Sequence, residues 1–386
     1  MAKPPRSSRF IVAVVALLLG LHAYIGWRIL PVLALPDTLN VLVWIGLMLS
    51  ALVIPLGLLS RFIAKPPLSD KLAWIGLLPM GWFSSAILLT FVRDIVLLGD
   101  ALWSSLMRTP TSATLPYDSA IGVVALAFMV TLIGYINARR VATVIDIVVP
   151  IANLPEALSG YTLVQLSDIH VGPTIKRNYI EKVVRRVNKL DADAVVITGD
   201  VVDGDVAHLQ PHTAPLADLK SRDGTFAVTG NHEYYSGAHQ WIAEWQRLGI
   251  RVLMNEHQLI RRGDAILALG GVPDYTAHHF DRSHQSDPVR AFSDSPDGAI
   301  RVLLAHQPRT IPAAEAAGTH LQLSGHTHGG QFWPWNLFVP LQQPYVAGLV
   351  KHGSTWLYIS RGTGYWGPPK RFGAPSEITR IRLVRA

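Results

Sequence analysis

Residues 321–330 read LQLSGHTHGG, so two imidazoles, His326 and His328, stand one residue apart at the end of an apolar run. Four other apolar runs end in a comparable way. Residues 162–166 (TLVQL) lead into Ser167-Asp168-Ile169-His170, and residues 194–198 (AVVIT) into Gly199-Asp200-Val201-Val202-Asp203. Residues 225–229 (TFAVT) lead into Gly230-Asn231-His232-Glu233, and residues 301–305 (RVLLA) into His306. With His232 set aside as an acid/base candidate, the tips offer Asp168, His170, Asp200, Asn231, His306, His326 and His328, with no thiolate among them. Carboxylate, amide and imidazole mixed in this way suit Mn²⁺, Fe²⁺ or Zn²⁺, because calcium or magnesium alone seldom recruits so many imidazoles. Seven ligating groups exceed the three or four that one such ion takes when it keeps a position open for water. Two ions sharing one bridging carboxylate account for the number.

The spacing has a physical reason. In an extended or turn segment residues i and i+2 can point the same way, so Asp168/His170 and His326/His328 each present two ligands from one tip. Gly172, Gly199, Gly230, Gly325, Gly329 and Gly330 let the backbone turn sharply or approach a bound ion or anion closely. Stepping outward from the tips, the chain from about residue 150 alternates short β-rich apolar runs with helical segments, the pattern of an α/β domain. In open α/β sheets ligands gather at the carboxyl ends of strands, so the polar tips are expected to meet in one place.

The ordered blocks D-x-H, G-D-x-x-D, G-N-H-E, an isolated His and G-H-x-H, spread over residues 168 to 328, resemble the calcineurin-like metallophosphoesterase superfamily. Each block is weak alone; five in order, each behind an apolar run, are specific. The resemblance implies an αββα sandwich of two mixed sheets. It also implies a first metal on Asp168, His170 and His328, a second on Asn231, His306 and His326, and Asp200 bridging them. His232 would be the catalytic imidazole, oriented by Asp203, and a metal-activated hydroxide would attack phosphorus in line. Protein phosphatases with this signature carry Arg after the second aspartate of G-D-x-x-D, whereas this chain has Gly204. Residues 358–378, YISRGTGYWGPPKRFGAPSEI, resemble the closing signature of a bacterial membrane-associated branch whose members are described as phosphodiesterases or as similar to UDP-2,3-diacylglucosamine pyrophosphatases. The expected substrate is a phosphodiester or pyrophosphate, lipid- or nucleotide-linked. Alternative readings are a broad phosphomonoesterase, a protein phosphatase, or a membrane sensor or transport protein whose soluble domain binds a phospholigand.

Ahead of this domain lie four apolar runs, at about 10–30, 39–59, 72–92 and 119–137, each near the 20 residues needed to span a hydrocarbon core. The expected organisation is a four-helix transmembrane region over 1–140 and a catalytic domain over 141–386. The first run is too long for a signal-peptide core and is followed by three more spans. Lys3, Arg6 and Arg9 precede span one, Arg61, Lys65 and Lys71 lie between spans two and three, and Arg139 and Arg140 follow span four. By the positive-inside rule both termini and the catalytic domain are expected in the cytoplasm, with the protein an integral inner- or plasma-membrane protein. No charged pair is expected deep in the bundle, and His22 reads as a hydrogen bond to a neighbouring helix.

Bulk charge excludes one class of partner. The first 140 residues hold eleven Lys and Arg against five Asp and no Glu, a net of +6, and the remaining 246 are almost neutral. The overall +7 is therefore not a basic globular surface, and no nucleic-acid binding is expected. The chain has no cysteine, which leaves the redox compartment undecided. His208, His212, His239, His257, His278, His279, His284, His320 and His352 lack placement at a strand tip and read as surface or loop histidines, Asp274 as a turn residue and Asp205 as solvated. Two readings stand for residues 332–338 (FWPWNLF): a lipid-facing loop, or a lid packed on the C-terminal strands.

Overall fold

The structure, a computed structural model, describes residues 8–63 and 65–386, so Lys3 and Arg6 lie outside the described residues, as do the side chains of Arg9 and Arg61. The described residues divide into two units: one of residues up to 136 with Gly367–Lys370, and one of Asn137–Trp366 with Arg371–Ala386.

The first unit is helical: α1 (Ser8–Leu33), α2 (Asp37–Ile63), α3 (Leu68–Met107) and α4 (Leu115–Arg139). All four are long and apolar enough to cross a membrane. Their outward faces carry apolar side chains such as Trp27 and Phe128, as a lipid-facing surface requires, while Ile25, Ile54, Phe83, Ala86 and Ala127 pack inside. α2 and α3 approach closely at Gly57 and Gly76, where a Cβ on Gly57 would lie 2.7 Å from the Gly76 Cα. His22 is buried, with Nδ1 2.8 Å from Leu18 O and Nε2 3.1 Å from Ser50 Oγ, the packing role expected of it.

One charged pair does join the helices, near the C-terminal end of α1. α3 does not stop near residue 92 but continues for another fifteen residues, which puts Arg93 and Asp94 on helix rather than in a loop. Arg28 Nε donates to both Asp94 oxygens at 2.8 and 3.0 Å, and Tyr24 donates to Oδ2 at 2.6 Å. The buried Arg93 donates to Ser119 Oγ and to the carbonyls of Arg28 and Pro116. These partners come from three different helices, so a reading of apolar runs cannot find them.

The second unit carries β1 (Thr143–Ile151), β2 (Thr162–Leu166), α5 (Arg177–Val187), β3 (Ala194–Thr198), α6 (Val206–Thr213), β4 (Thr225–Val228), α7 (Asn231–Ser236), α8 (Ala238–Arg247) and β5 (Arg251–Val252). There follow β6 (Glu256–Arg262), β7 (Ala265–Gly271), α9 (Pro288–Ala291), β8 (Ile300–Leu304), α10 (Ile311–Ala316), β9 (Leu321–Ser324), β10 (Gly348–His352), β11 (Thr355–Ile359) and β12 (Glu377–Arg385). Two mixed six-stranded sheets result, ordered β1-β12-β2-β3-β4-β5 and β10-β11-β9-β8-β7-β6.

The period of two along each strand separates three packing layers. Leu163, Ala194, Val196, Phe226 and Val228 meet Leu267, Leu269, Val302, Leu304, Leu321 and Leu323 between the sheets. Val164, Leu166, Val195 and Ile197 point the other way, onto Ile180, Val183 and Val187 of α5 and Trp241 and Trp245 of α8. On the far side, Ala268, Leu303, Leu357 and Ile359 receive Phe292, Ile311 and Ala314. This is the expected αββα sandwich. Because β2, β3 and β4 run parallel in one sheet, and β7, β8, β9 and β11 in the other, their carboxyl ends form two neighbouring edges.

Candidate active site

The two edges are joined by direct bonds. Gln165 Nε2 donates to Ser324 O at 2.9 Å, His306 Nδ1 to Thr198 O at 2.7 Å, and the amide of His326 to Asp168 Oδ1 at 2.9 Å. Asp168, His170, Asp200, His326 and His328 all have positive φ, between 51° and 70°. They are five of the eleven non-glycine residues in that region among the described residues, so backbone strain is concentrated at the strand tips. Gly325 and Gly230 permit the approach: a Cβ on either would collide with the Asp168 or Asp200 carboxylate.

All nine residues singled out from the sequence meet here. In one cluster His170 Nε2 lies 3.0 Å from His328 Nε2, and His328 Nε2 lies 3.5 Å from Asp168 Oδ1. In the next, His306 Nε2 is 3.1 Å from Asp200 Oδ2 and 3.2 Å from His326 Nδ1. Ligands on one tetrahedral ion with bonds of 2.0–2.2 Å stand about 3.3–3.6 Å apart, so these separations fit two metal-binding clusters. Asp200 Oδ2 also lies 4.0 Å from His170 Nε2 and 3.9 Å from His232 Nε2, placing one carboxylate between the clusters. Asn231 adds a third sign. Its Oδ1 is buried and has no hydrogen-bond partner, which a nearby cation would satisfy.

Asp203 orients two rings at once. Its Oδ1 accepts from His232 Nδ1 at 2.5 Å and from His170 Nδ1 at 3.1 Å, which turns both Nε2 atoms toward Asp200. The electrostatics separate the histidines. Burial, then the charge of His306, pushes His326 down to about 3, and burial with Arg371 takes His328 well below the usual histidine value. Both rings are therefore neutral and able to ligate. Against burial, Asp200 and Asp203 lift His232 to about 9 in the metal-free protein. Asp203 itself, despite burial, is held below the usual carboxylate range by His170 and His232.

Two functional residues escaped sequence reasoning. The buried Glu233 accepts from four backbone amides, those of Gly230, Asp200, Val201 and Val202, at 2.7–3.3 Å, and so clamps two ligand-bearing loops together. Arg371 is buried and donates to the carbonyls of His328 and Arg361 at 3.0 and 2.7 Å, with Nη2 2.9 Å from His328 Nδ1. Both stand in quoted motifs, but most of their partners are backbone groups, which carry no signal in a sequence. Of the side chains read as incidental, Asp274 is buried in a turn, accepting from the Thr276 amide and Gln307 Nε2, and Asp205 caps α6 through the amide of His208.

At the mouth, Tyr235 and Trp366 flank His232 with ring centroids 5.3 and 5.8 Å away. Gln331 ties this rim to the ligand loop, donating to Trp366 O at 2.8 Å and accepting from its amide at 2.9 Å. Trp333, Trp335, Leu337 and Phe338 are each about half exposed or more, while the Trp333 amide donates to Phe372 O at 2.8 Å and ties the loop to the C-terminal segment.

Residues 161–330 match the family described as calcineurin-like phosphoesterase. A transmembrane protein with metallophosphoesterase domain from Danio rerio is 33% identical over 325 residues, covering 81% of this chain and 74% of the relative. The chain belongs to the calcineurin-like metallophosphoesterase family. A Bos taurus protein of the same description is 40% identical over 278 residues, 68% of this chain and 62% of that one. An uncharacterized metallophosphoesterase of Helicobacter pylori is 40% identical over 227 residues, 58% of this chain and 59% of its own. The chain thus spans about three-fifths of the length of the latter two. It is a metallophosphoesterase with side-chain clusters able to hold metal ions and four apolar helices of membrane-spanning length.

Proposed function

We propose that this metallophosphoesterase hydrolyses a phosphodiester or pyrophosphate bond with two divalent ions, Mn²⁺, Fe²⁺ or Zn²⁺. Asp168, His170 and His328 would hold one ion, Asn231, His306 and His326 the other, with the Asp200 carboxylate within reach of both. The observation that carries this reading is the position of Asp200 Oδ2, within 4.0 Å of imidazole nitrogens from both clusters. Bound there, the ions supply Lewis acidity that polarises a phosphoryl oxygen and makes a water nucleophilic near neutral pH. His232, steered by Asp203, would deliver an Nε2 proton to the leaving oxygen. Asp203, accepting from Nδ1, keeps the ring oriented with Nε2 toward the substrate. Gly204 stands where protein phosphatases of this signature carry a phosphate-binding Arg, which disfavours the protein-phosphatase reading.

The half-exposed Trp366 beside His232, continuous through Gln331 with the Trp333–Phe338 loop, favours a substrate with an apolar, lipid-linked part. The distribution of Lys65, Lys71, Arg139 and Arg140 favours a cytoplasmic catalytic domain. Hydrolysis of bis-p-nitrophenyl phosphate by the Mn²⁺-loaded full chain should be lost in Asp200→Ala and Asn231→Ala; undiminished turnover would refute the site. Comparison of a long-chain with a short-chain diester tests the lipid part, and equal kcat/KM on both removes it. Protease access in inside-out vesicles tests the orientation, and protection of the catalytic domain contradicts it.

A further inference from the structure

A second group of ligating side chains stands apart from the strand tips. His239 opens α8, and Asp281 and His284 lie in the segment between β7 and α9; none of the three supplies a side chain to the clusters around Asp200. His239 Nε2 lies 3.0 Å from Asp281 Oδ2, and His284 Nε2 lies 4.0 Å from the same oxygen. Separations of 3.0 and 4.0 Å bracket the roughly 3.3–3.6 Å expected between neighbours on one tetrahedral ion.

Two of the three groups, Asp281 and His284, are also held in orientation by others. Asp281 Oδ1 accepts from the Ser283 amide at 2.9 Å and from its hydroxyl at 2.6 Å, which commits that oxygen and turns Oδ2 to the histidines. His284 Nδ1 lies 2.9 Å from the Tyr234 hydroxyl, which fixes the ring and aims Nε2 at Asp281. This is the outer-shell support that metal-ligating imidazoles ordinarily have. A surface ion pair between His239 and Asp281 alone would need neither the Tyr234 contact nor a second imidazole on the same oxygen.

We propose that His239, Asp281 and His284 form a further metal site, for Zn²⁺ or a similar borderline divalent ion, with water in the fourth position. Two nitrogens and one carboxylate oxygen are a common zinc set with an open place. His239 is 69% exposed, so the ion exchanges freely with solvent. An ion here joins α8 to the segment that carries Phe280. Phe280 packs against Tyr234 and Tyr235 at 5.8 and 5.6 Å, and Tyr235 packs on His232, so the site braces one wall of the active-site mouth.

The test uses the full chain in detergent, purified without a polyhistidine tag and equilibrated with Zn²⁺ buffered at about 10 µM free ion. Metal content by mass spectrometry is compared for the wild type, His239→Ala and His284→Gln. The expected result is one equivalent fewer in each variant, whatever number is held around Asp200, so the outcome does not depend on the two-ion reading of the main site. Equal metal content in wild type and His239→Ala overturns the proposal. His239 is exposed enough that its replacement leaves folding intact, and this variant decides the matter if His284→Gln fails to fold. A Zn²⁺-dependent rise in Tm that is present in the wild type and smaller in His239→Ala supports the bracing role; an identical rise contradicts it.

Discussion

Replacing His232 by alanine separates proton delivery from metal binding. Its Nδ1 is engaged by Asp203 at 2.5 Å and its Nε2 faces the site 3.9 Å from Asp200 Oδ2, so the side chain can act on a leaving oxygen without sitting in either three-residue ligand set. General acid catalysis contributes about 10²–10⁴ in rate, or about 2.7–5.4 kcal/mol at 1.36 kcal/mol per factor of ten. That contribution is required only where the leaving group needs a proton. An alkyl phosphodiester, whose alkoxide is a poor leaving group, should therefore lose about 10²–10⁴ in kcat in His232→Ala. A p-nitrophenyl diester releases a stabilised phenolate and should lose less than about tenfold. The assay is kcat on both substrates at saturating Mn²⁺, with metal content measured in parallel. An equal loss on both substrates at unchanged metal content would show that His232 steadies charge on the phosphoryl group or positions substrate, and would refute its role as acid.

The carboxylate shared by His170 and His232 gives a related outcome: Asp203→Ala should weaken metal binding by about 10–100-fold, read by chelator competition, whereas His232→Ala should not. In the metal-free protein His232 should titrate near pH 9 by NMR, and Asp203→Asn should lower that value; a ring titrating near 6.5 in the parent contradicts the electrostatic account. Because its folded-state pKa lies above the unfolded value, His232 contributes stability that is complete below about pH 6.5 and lost as pH rises through about 9. Glu233→Gln replaces one amide-accepting oxygen with a donor facing backbone N–H groups and should cost about 2–5 kcal/mol, read as a lowered denaturation midpoint; an unchanged midpoint removes the clamp. Trp333→Ser with Trp335→Ser should lower kcat/KM on a long-chain diester and leave bis-p-nitrophenyl phosphate turnover unaltered.

The strand tips were legible because the chemistry is local. Apolar runs of four or five residues end in ligands at i and i+2, and parallel strands bring those ends to one edge whatever else the chain does. The alternation of Val195 and Ile197 with Ala194 and Val196 even separates the two faces of β3. What escaped was contact made at a distance along the chain. Arg93 and Asp94 read as the end of a span, because hydropathy registers a charge but not Ser119, Tyr24 and Arg28 waiting on other helices. Glu233 and Arg371 read as motif letters, because most of their partners are carbonyls and amides common to every residue. His239, Asp281 and His284 lie up to 45 positions apart with no common spacing, so only the fold brings them together.

The central claim is a pair of ions joined by Asp200. Crystals of the Mn²⁺-loaded protein, measured at the manganese absorption edge, test it most directly through an anomalous difference map. The account predicts two peaks about 3.5–4 Å apart on either side of the Asp200 carboxylate, one beside Asp168, His170 and His328 and the other beside Asn231, His306 and His326. A single peak at full occupancy, or two peaks that do not share Asp200, would contradict it.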